Sequence, residues 1–171
     1  AFVRVMKNRE CFMAATGNTK NCLLVLEHDA KAVLSSTECL NKQEYIVRQC
    51  GVSVKQVRSA FRQYPHSVLL ANTDCDMTVA LLHELALCPE SSRLPVICCC
   101  EVLNDIAFTR VENIQPFAWL PLSCPVQMFE CTVYSACSYS RIDARHKRAI
   151  EKYKLIAQSI PEGVVLLDEA W

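Results

Sequence analysis

Two acid-bearing clusters and one run of cysteines are the chemically capable residues of this chain. Glu27-His28-Asp29 closes one apolar run, Asn72-Thr73-Asp74-Cys75-Asp76 follows another, and Cys98-Cys99-Cys100 ends a third. Carboxylates such as Glu27, Asp29, Asp74 and Asp76, if brought together, can bind a metal or move protons. The alternative is loop and cap duty, with Asp76 or Thr78 near the start of a helix. His28 beside a thiol such as Cys100 would pair a base with a nucleophile. Consecutive cysteines on a strand point to opposite faces, so residues 98–100 cannot jointly hold a tetrahedral metal. No Cys-x-x-Cys pair occurs among the 12 cysteines. Most sit inside apolar runs and read as small core hydrophobes in a reducing compartment. A zinc, redox or small-molecule sensor built on them is the competing reading.

The elements that must position these residues follow a regular order. "CLLVLEHD" is a continuous apolar run ending in acids, a buried strand by length and branching. "AKAVLSSTECLNKQ" reads as a helix and "EYIVRQC" as a second strand closed by Gly51. "SVKQVRSAFRQYP" is helical, with Val54, Val57, Ala60 and Phe61 on one face and Pro65 as the stop. "HSVLLAN" is a third strand and "DMTVALLHELALCP" a third helix. "LPVICCC", a short helix in "EVLNDIAFTRVEN", the Pro121-interrupted strand "PFAWLPLS" and the Pro125-led helix "CPVQMFECTVYSACSYS" complete the series. Apolar strands alternating with helices imply an α/β protein with a doubly wound, five-stranded parallel sheet, order 2-1-3-4-5. Function is then expected where the carboxyl ends of strands one and three flank the switch point. Those ends are Glu27-His28-Asp29 and Ala71-Asn72.

Composition excludes several classes. Lysine plus arginine equals aspartate plus glutamate, 18 each, which argues against a general nucleic-acid binder. Only three glycines are present, so phosphate-cradling glycine loops are absent. No run approaches the roughly 18 apolar residues of a membrane span. "AFVRVMKNRE" lacks the apolar core of a signal peptide. The expectation is a cytoplasmic module with no direct membrane contact and no cofactor. "HELALCP" at His83 to Pro89 faintly echoes a phospho-accepting histidine box, but it fits the third helix of the sheet pattern better. The first 20 residues hold "FVRVM" and "ECFMAAT", each capable of an extra strand or hairpin.

Residues 21–140 resemble the receiver domain of bacterial response regulators, a flavodoxin-like and CheY-like fold. The resemblance rests on "LLVLEHDA", "YPHSVLLA", "LCPESSRLPVICC" and "FAWLPLSCPVQMF", in the family's order and spacing. It implies that the phospho-acceptor aspartate falls on Ala71 and the magnesium-binding acidic pair on Glu27 and His28. The hydroxyl residue ending strand four falls on Cys100, and the phosphate-pairing lysine falls on Leu120. Methyl and leucine side chains cannot accept or stabilise a phosphoryl group, and a neutral imidazole is a poor magnesium ligand. The resemblance therefore implies a degenerate, non-catalytic pseudo-receiver. Phe117 falls on the aromatic switch position, and packing changes around Phe117 and Trp119 are expected to carry signal.

Residues 141–160 read as a linker helix. Ile142, His146, Ala149, Tyr153, Ile156 and Ile160 are spaced 4, 3, 4, 3 and 4 apart, a heptad seam. His146 is its one polar member. The seam predicts a parallel homodimer, against the alternative of an amphipathic helix folded back on its own domain. "IPEGVVLLDEAW", residues 160–171, resembles the opening strand of a PAS domain in sensor kinases. The expectation is a fragment of a longer sensor protein, a histidine kinase or cyclic-nucleotide signalling protein, whose other domains are partners. A small α/β enzyme unrelated to receivers is the remaining alternative.

Overall fold

The computed structural model describes residues 20–88, 94–111 and 113–159. The first strand, β1 (Asn21–Leu26), is buried along nearly its whole length. It runs into a single 3-10 turn at Glu27–Asp29 and then α1 (Ala30–Thr37). Next come β2 (Tyr45–Cys50), α2 (Val54–Gln63), β3 (Val68–Asn72) and α3 (Asp76–Ala86). The chain continues through β4 (Val96–Cys100), α4 (Asp105–Arg110), β5 (Ala118–Pro121) and α5 (Val126–Ser159). All strand pairings are parallel, in the order β2-β1-β3-β4-β5. The sheet order expected from the sequence is the one observed.

Strand periodicity divides the core into two layers. Leu24, Leu26, Leu69, Ala71 and Cys98 face one side, under Val57 of α2 and Leu81, Leu82 and Leu85 of α3. Leu23, Val25, Leu70, Ile97, Cys99 and Leu120 face the other, under Val33 of α1 and Phe129, Val133 and Ala136 of α5. Successive residues of β1, β3 and β4 thus feed opposite layers. Burial on both faces explains why these strands carry no alternating polar residues.

Local chemistry corrects several sequence boundaries. The first helix stops at Thr37 instead of running to Gln43. There Leu40 N–H turns back to the Thr37 carbonyl (3.1 Å), and the Asn41 side chain accepts from Gln43 N–H (2.9 Å). An Asx turn of this kind offers the backbone a partner outside the helix. The fourth helix is shorter than "EVLNDIAFTRVEN" because Asn104 caps it, accepting from Ala107 N–H at 2.9 Å. Strand five contracts to four residues; Pro121 ends it and is tolerated because β5 is an edge of the sheet among the described residues. The last domain helix and the linker helix form one continuous helix of 34 residues. Ile160 and residues 1–19 and 161–171 lie outside the described residues, and with them the possible N-terminal strand and the PAS-like strand. Among the described residues, no helix is long and apolar enough to cross a membrane.

Leu69 is fully buried at the centre of the sheet, between Leu24 and Val96 in register. Leu69→Ala is expected to destabilise the fold by about 2–5 kcal/mol. Leu87→Ala, at a residue 85% exposed, should stay within about 0.5 kcal/mol. Urea unfolding of the two variants checks the contrast.

Candidate functional site

The carboxyl ends of β1 and β3 meet the first turn of α3, and one buried carboxylate joins the three. Asp29 is 1% exposed. One of its oxygens accepts from Asn72 N–H at 3.0 Å, tying the end of β1 to the end of β3. Both oxygens lie in reach of the fully buried Thr78 hydroxyl, at 3.0 and 2.9 Å. That hydroxyl spends its single proton on Asp29, so it accepts from His28 Nε2–H at 2.6 Å. His28 Nε2 also stands 3.3 Å from Asp29. Burial pushes the Asp29 carboxyl up from its ordinary range, opposed by the Asn72 amide, the Thr78 hydroxyl and the His28 ring. His28 Nδ1 is buried without a hydrogen-bond partner. Cys75 precedes α3 as its N-cap yet makes no side-chain cap bond. His28, Asp29 and Cys75 each place one ligand-type atom within 4.8 Å of the others.

The four carboxylates considered together in the sequence do not converge. Glu27 is exposed. Asp74 accepts from Glu101 N–H at 2.6 Å and receives an Asx turn from Asn72, whose side-chain oxygen accepts from Asp74 N–H at 3.1 Å. Asp76 pairs with Arg110 across the surface. Loop and cap duty accounts for Asp74 and Asp76. His28 is committed to Thr78 and Asp29, whereas Cys100 faces Thr73 and Asp74. His83 joins α3 to α4 by donating to the Arg110 carbonyl (2.9 Å).

Of the residues singled out by the resemblance, Ala71 and Leu120 fall in apolar surroundings. Ala71 is fully buried and packs in the layer of Leu24, Leu26, Leu69 and Cys98. Leu120 is 3% exposed and lies in the layer containing Phe129 and Val133 of α5. Cys100 is fully buried at the end of β4, its thiol raised first by burial, then by Asp74, with Thr73 opposing. Phe117 lies 5.5 Å from Tyr139, ring centre to ring centre, and Trp119 meets Phe108 edge-to-face at 4.8 Å. These contacts link β5 to α5 and to α4.

Magnesium does not fit this set. The ion demands several hard oxygen ligands in octahedral array. Among the described residues the strand ends offer one buried carboxylate, Asp29; Glu27 stands exposed and the neighbouring donors are an imidazole and a thiol. The resemblance puts the acidic pair on Glu27 and His28, and neither it nor the sequence pattern points to the Asp29–Thr78–Cys75 grouping. The sequence offers Asp29 as one of four candidate carboxylates, with Glu27, Asp74 and Asp76. Thr78 and Cys75 became site residues only when the start of α3 was fixed at Asp76.

Solved structures share this architecture. The CheY-like response regulator receiver domain protein of Methanospirillum hungatei matches with a TM-score of 0.54 at 12% identity, over 73% of this chain and 99% of that one. A chemotaxis response regulator of Vibrio cholerae matches with a TM-score of 0.54 at 8% identity, over 69% of this chain and 99% of that one. The signal receiver domain of a modulated diguanylate cyclase from Desulfovibrio desulfuricans matches with a TM-score of 0.50 at 18% identity, over 71% and 97%. No protein-family model and no curated protein matches the chain. The likeness establishes a receiver-type fold.

Thr78→Val removes the hydroxyl between two buried polar groups and is expected to cost about 1–3 kcal/mol, whereas Thr78→Ser keeps most of the stability. Urea midpoints of the two variants test this. Thiol reactivity offers a second check. Burial pushes Cys22 and Cys50 to about 11 and Cys98 and Cys137 to about 12, with Cys99 also raised. Cys131 is exposed. Alkylation at mildly alkaline pH followed by peptide mapping should label Cys131 well before those five, which react only in denaturant.

Proposed function

We propose that this chain is a non-catalytic pseudo-receiver that dimerises through α5 and relays conformational change along it to other domains of a signalling protein. The observation that carries the reading is the burial of the Ala71 methyl in the apolar layer under α3, where the resemblance puts an acceptor aspartate. Leu120 packed against α5, in place of a lysine, supports it. So do Glu27 and His28, which offer no magnesium site. With apolar side chains at the acceptor and lysine positions, the fold serves as a surface and a lever.

The dimerisation half of the reading is supported by α5. The helix is rooted by Phe129, Val133, Ala136, Cys137 and Ser140, all buried. From Arg145 through Leu155 every residue is exposed. Ile142, at 51%, and Tyr153, at 59%, lie on the seam with His146 and Ala149. A stripe of this spacing gains most by meeting a second copy of itself. Lys147 and Glu151, 3.8 Å apart one turn on, form a flanking ion pair. Phe117, packed on Tyr139, and Trp119, packed on Phe108, connect the β5 edge to the helix root and to α4. A ligand or partner that altered those packings would move the root. The diguanylate cyclase neighbour, itself a receiver from a modulated enzyme, illustrates a setting in which such a module acts.

The test measures mass in solution and chemistry together. Sedimentation of the 171-residue chain should give a dimer. Ile142→Lys combined with Tyr153→Lys should weaken it by about 100-fold or more, since each buried side chain contributes roughly 1.5–3 kcal/mol. Incubation with acetyl phosphate and magnesium should leave the intact mass unchanged. A strict monomer at high concentration would sink the dimer, and a phosphoryl adduct would sink the non-catalytic assignment.

A further inference from the structure

The strand-end crevice has lost the donors magnesium needs, but the set that replaces them has a chemistry of its own. We propose that His28, Asp29 and Cys75 form a binding site for a borderline-soft divalent transition metal, of which zinc is the natural occupant and cobalt the convenient probe.

The donor types come first. An imidazole nitrogen, a carboxylate oxygen and a thiolate sulfur together select zinc or cobalt over magnesium or calcium. The geometry comes next. One ligand atom from each residue lies within 4.8 Å of the other two. Ligands about 2.0–2.3 Å from a tetrahedral zinc stand roughly 3.5 Å apart. The ligand atoms would therefore have to draw together by about 1 Å at most, the scale of a side-chain adjustment.

Further observations point the same way. His28 Nδ1 is buried with no partner, and with Nε2–H donated to Thr78 it carries the free lone pair a metal needs. Cys75 occupies the N-cap of α3 without capping it, so its sulfur is not engaged as a cap. Asn72 N–H and the Thr78 hydroxyl already hold the Asp29 carboxylate, as outer groups hold a metal ligand in place. The His28 side chain is 20% exposed and Cys75 is half-buried, which gives an ion a route in. Binding would convert the Cys75 thiol to a thiolate and release its proton to solvent. Three protein ligands leave the fourth position for water or for a donor from a partner. This site goes beyond the relay reading and does not depend on it: a chain that proved monomeric could still bind the metal.

The experiment is a cobalt titration of the chelator-treated, reduced 171-residue chain, followed by absorbance. The expected result is a thiolate-to-cobalt charge-transfer band that saturates at one equivalent, is displaced by zinc and is unaffected by excess magnesium. Cys75→Ser should abolish the band while preserving the fold, because serine is a favoured N-cap. Cys131→Ser, at an exposed cysteine elsewhere, should retain it. Thr78→Val should weaken cobalt binding by about 10-fold or more. Absence of the band, its survival in Cys75→Ser, or its equal loss in Cys131→Ser would each overturn the site.

Discussion

Burial of β1, β3 and β4 on both faces is the constraint from which the rest follows. A strand with apolar side chains above and below the sheet must be covered twice. Helices α2 and α3 cover one side and α1 and α5 the other. Parallel strands so covered can be joined only by crossovers, which bring every strand's carboxyl end to one rim. The order β2-β1-β3-β4-β5 then opens a crevice between the ends of β1 and β3. The Asp29 carboxylate sits there because the topology leaves room for a polar group, and it survives burial because Asn72 and Thr78 supply donors.

Much of the architecture was legible in the sequence because strands buried on both faces announce themselves. "CLLVLE", "HSVLLAN" and "LPVICCC" have no polar alternation to confuse a strand with a surface element, and the helices between them fix the sheet class. The ends of elements were less legible. The stop of α1 depends on an Asx turn at Asn41, and the start of α4 on the Asn104 cap; both compete with the backbone locally and leave little periodic signal. The unity of α5 was hidden by a change in composition near Ser140. Buried apolar positions give way there to exposed charged ones, which looks like an element boundary but is only the helix leaving the core.

The site was legible at the level of place and illegible at the level of partners. The switch point followed from strand order alone. Which of Glu27, His28 and Asp29 would enter it depended on the 3-10 turn at Glu27–Asp29, which leaves Glu27 exposed and buries Asp29. Thr78 and Cys75 reach the same spot from about 50 residues away in sequence, through the first turn of α3. No local pattern carries that information. Counting acids therefore found the neighbourhood and overestimated its charge, since Asp74 and Asp76 are spent on Glu101 N–H and Arg110.

The continuity of α5 has a consequence for phase. At 34 residues and 1.5 Å of rise per residue the helix is about 51 Å long. Each residue also turns the helix by about 100°, so the azimuth of anything fused beyond Ser159 is set by residue count as well as by distance. Deleting one residue in the exposed stretch would leave the root packed by Phe129 and Val133 untouched. It would swing the far end by more than a quarter turn. The junction behaves as a keyed shaft: a whole-heptad change nearly restores alignment, whereas a single-residue change misaligns it.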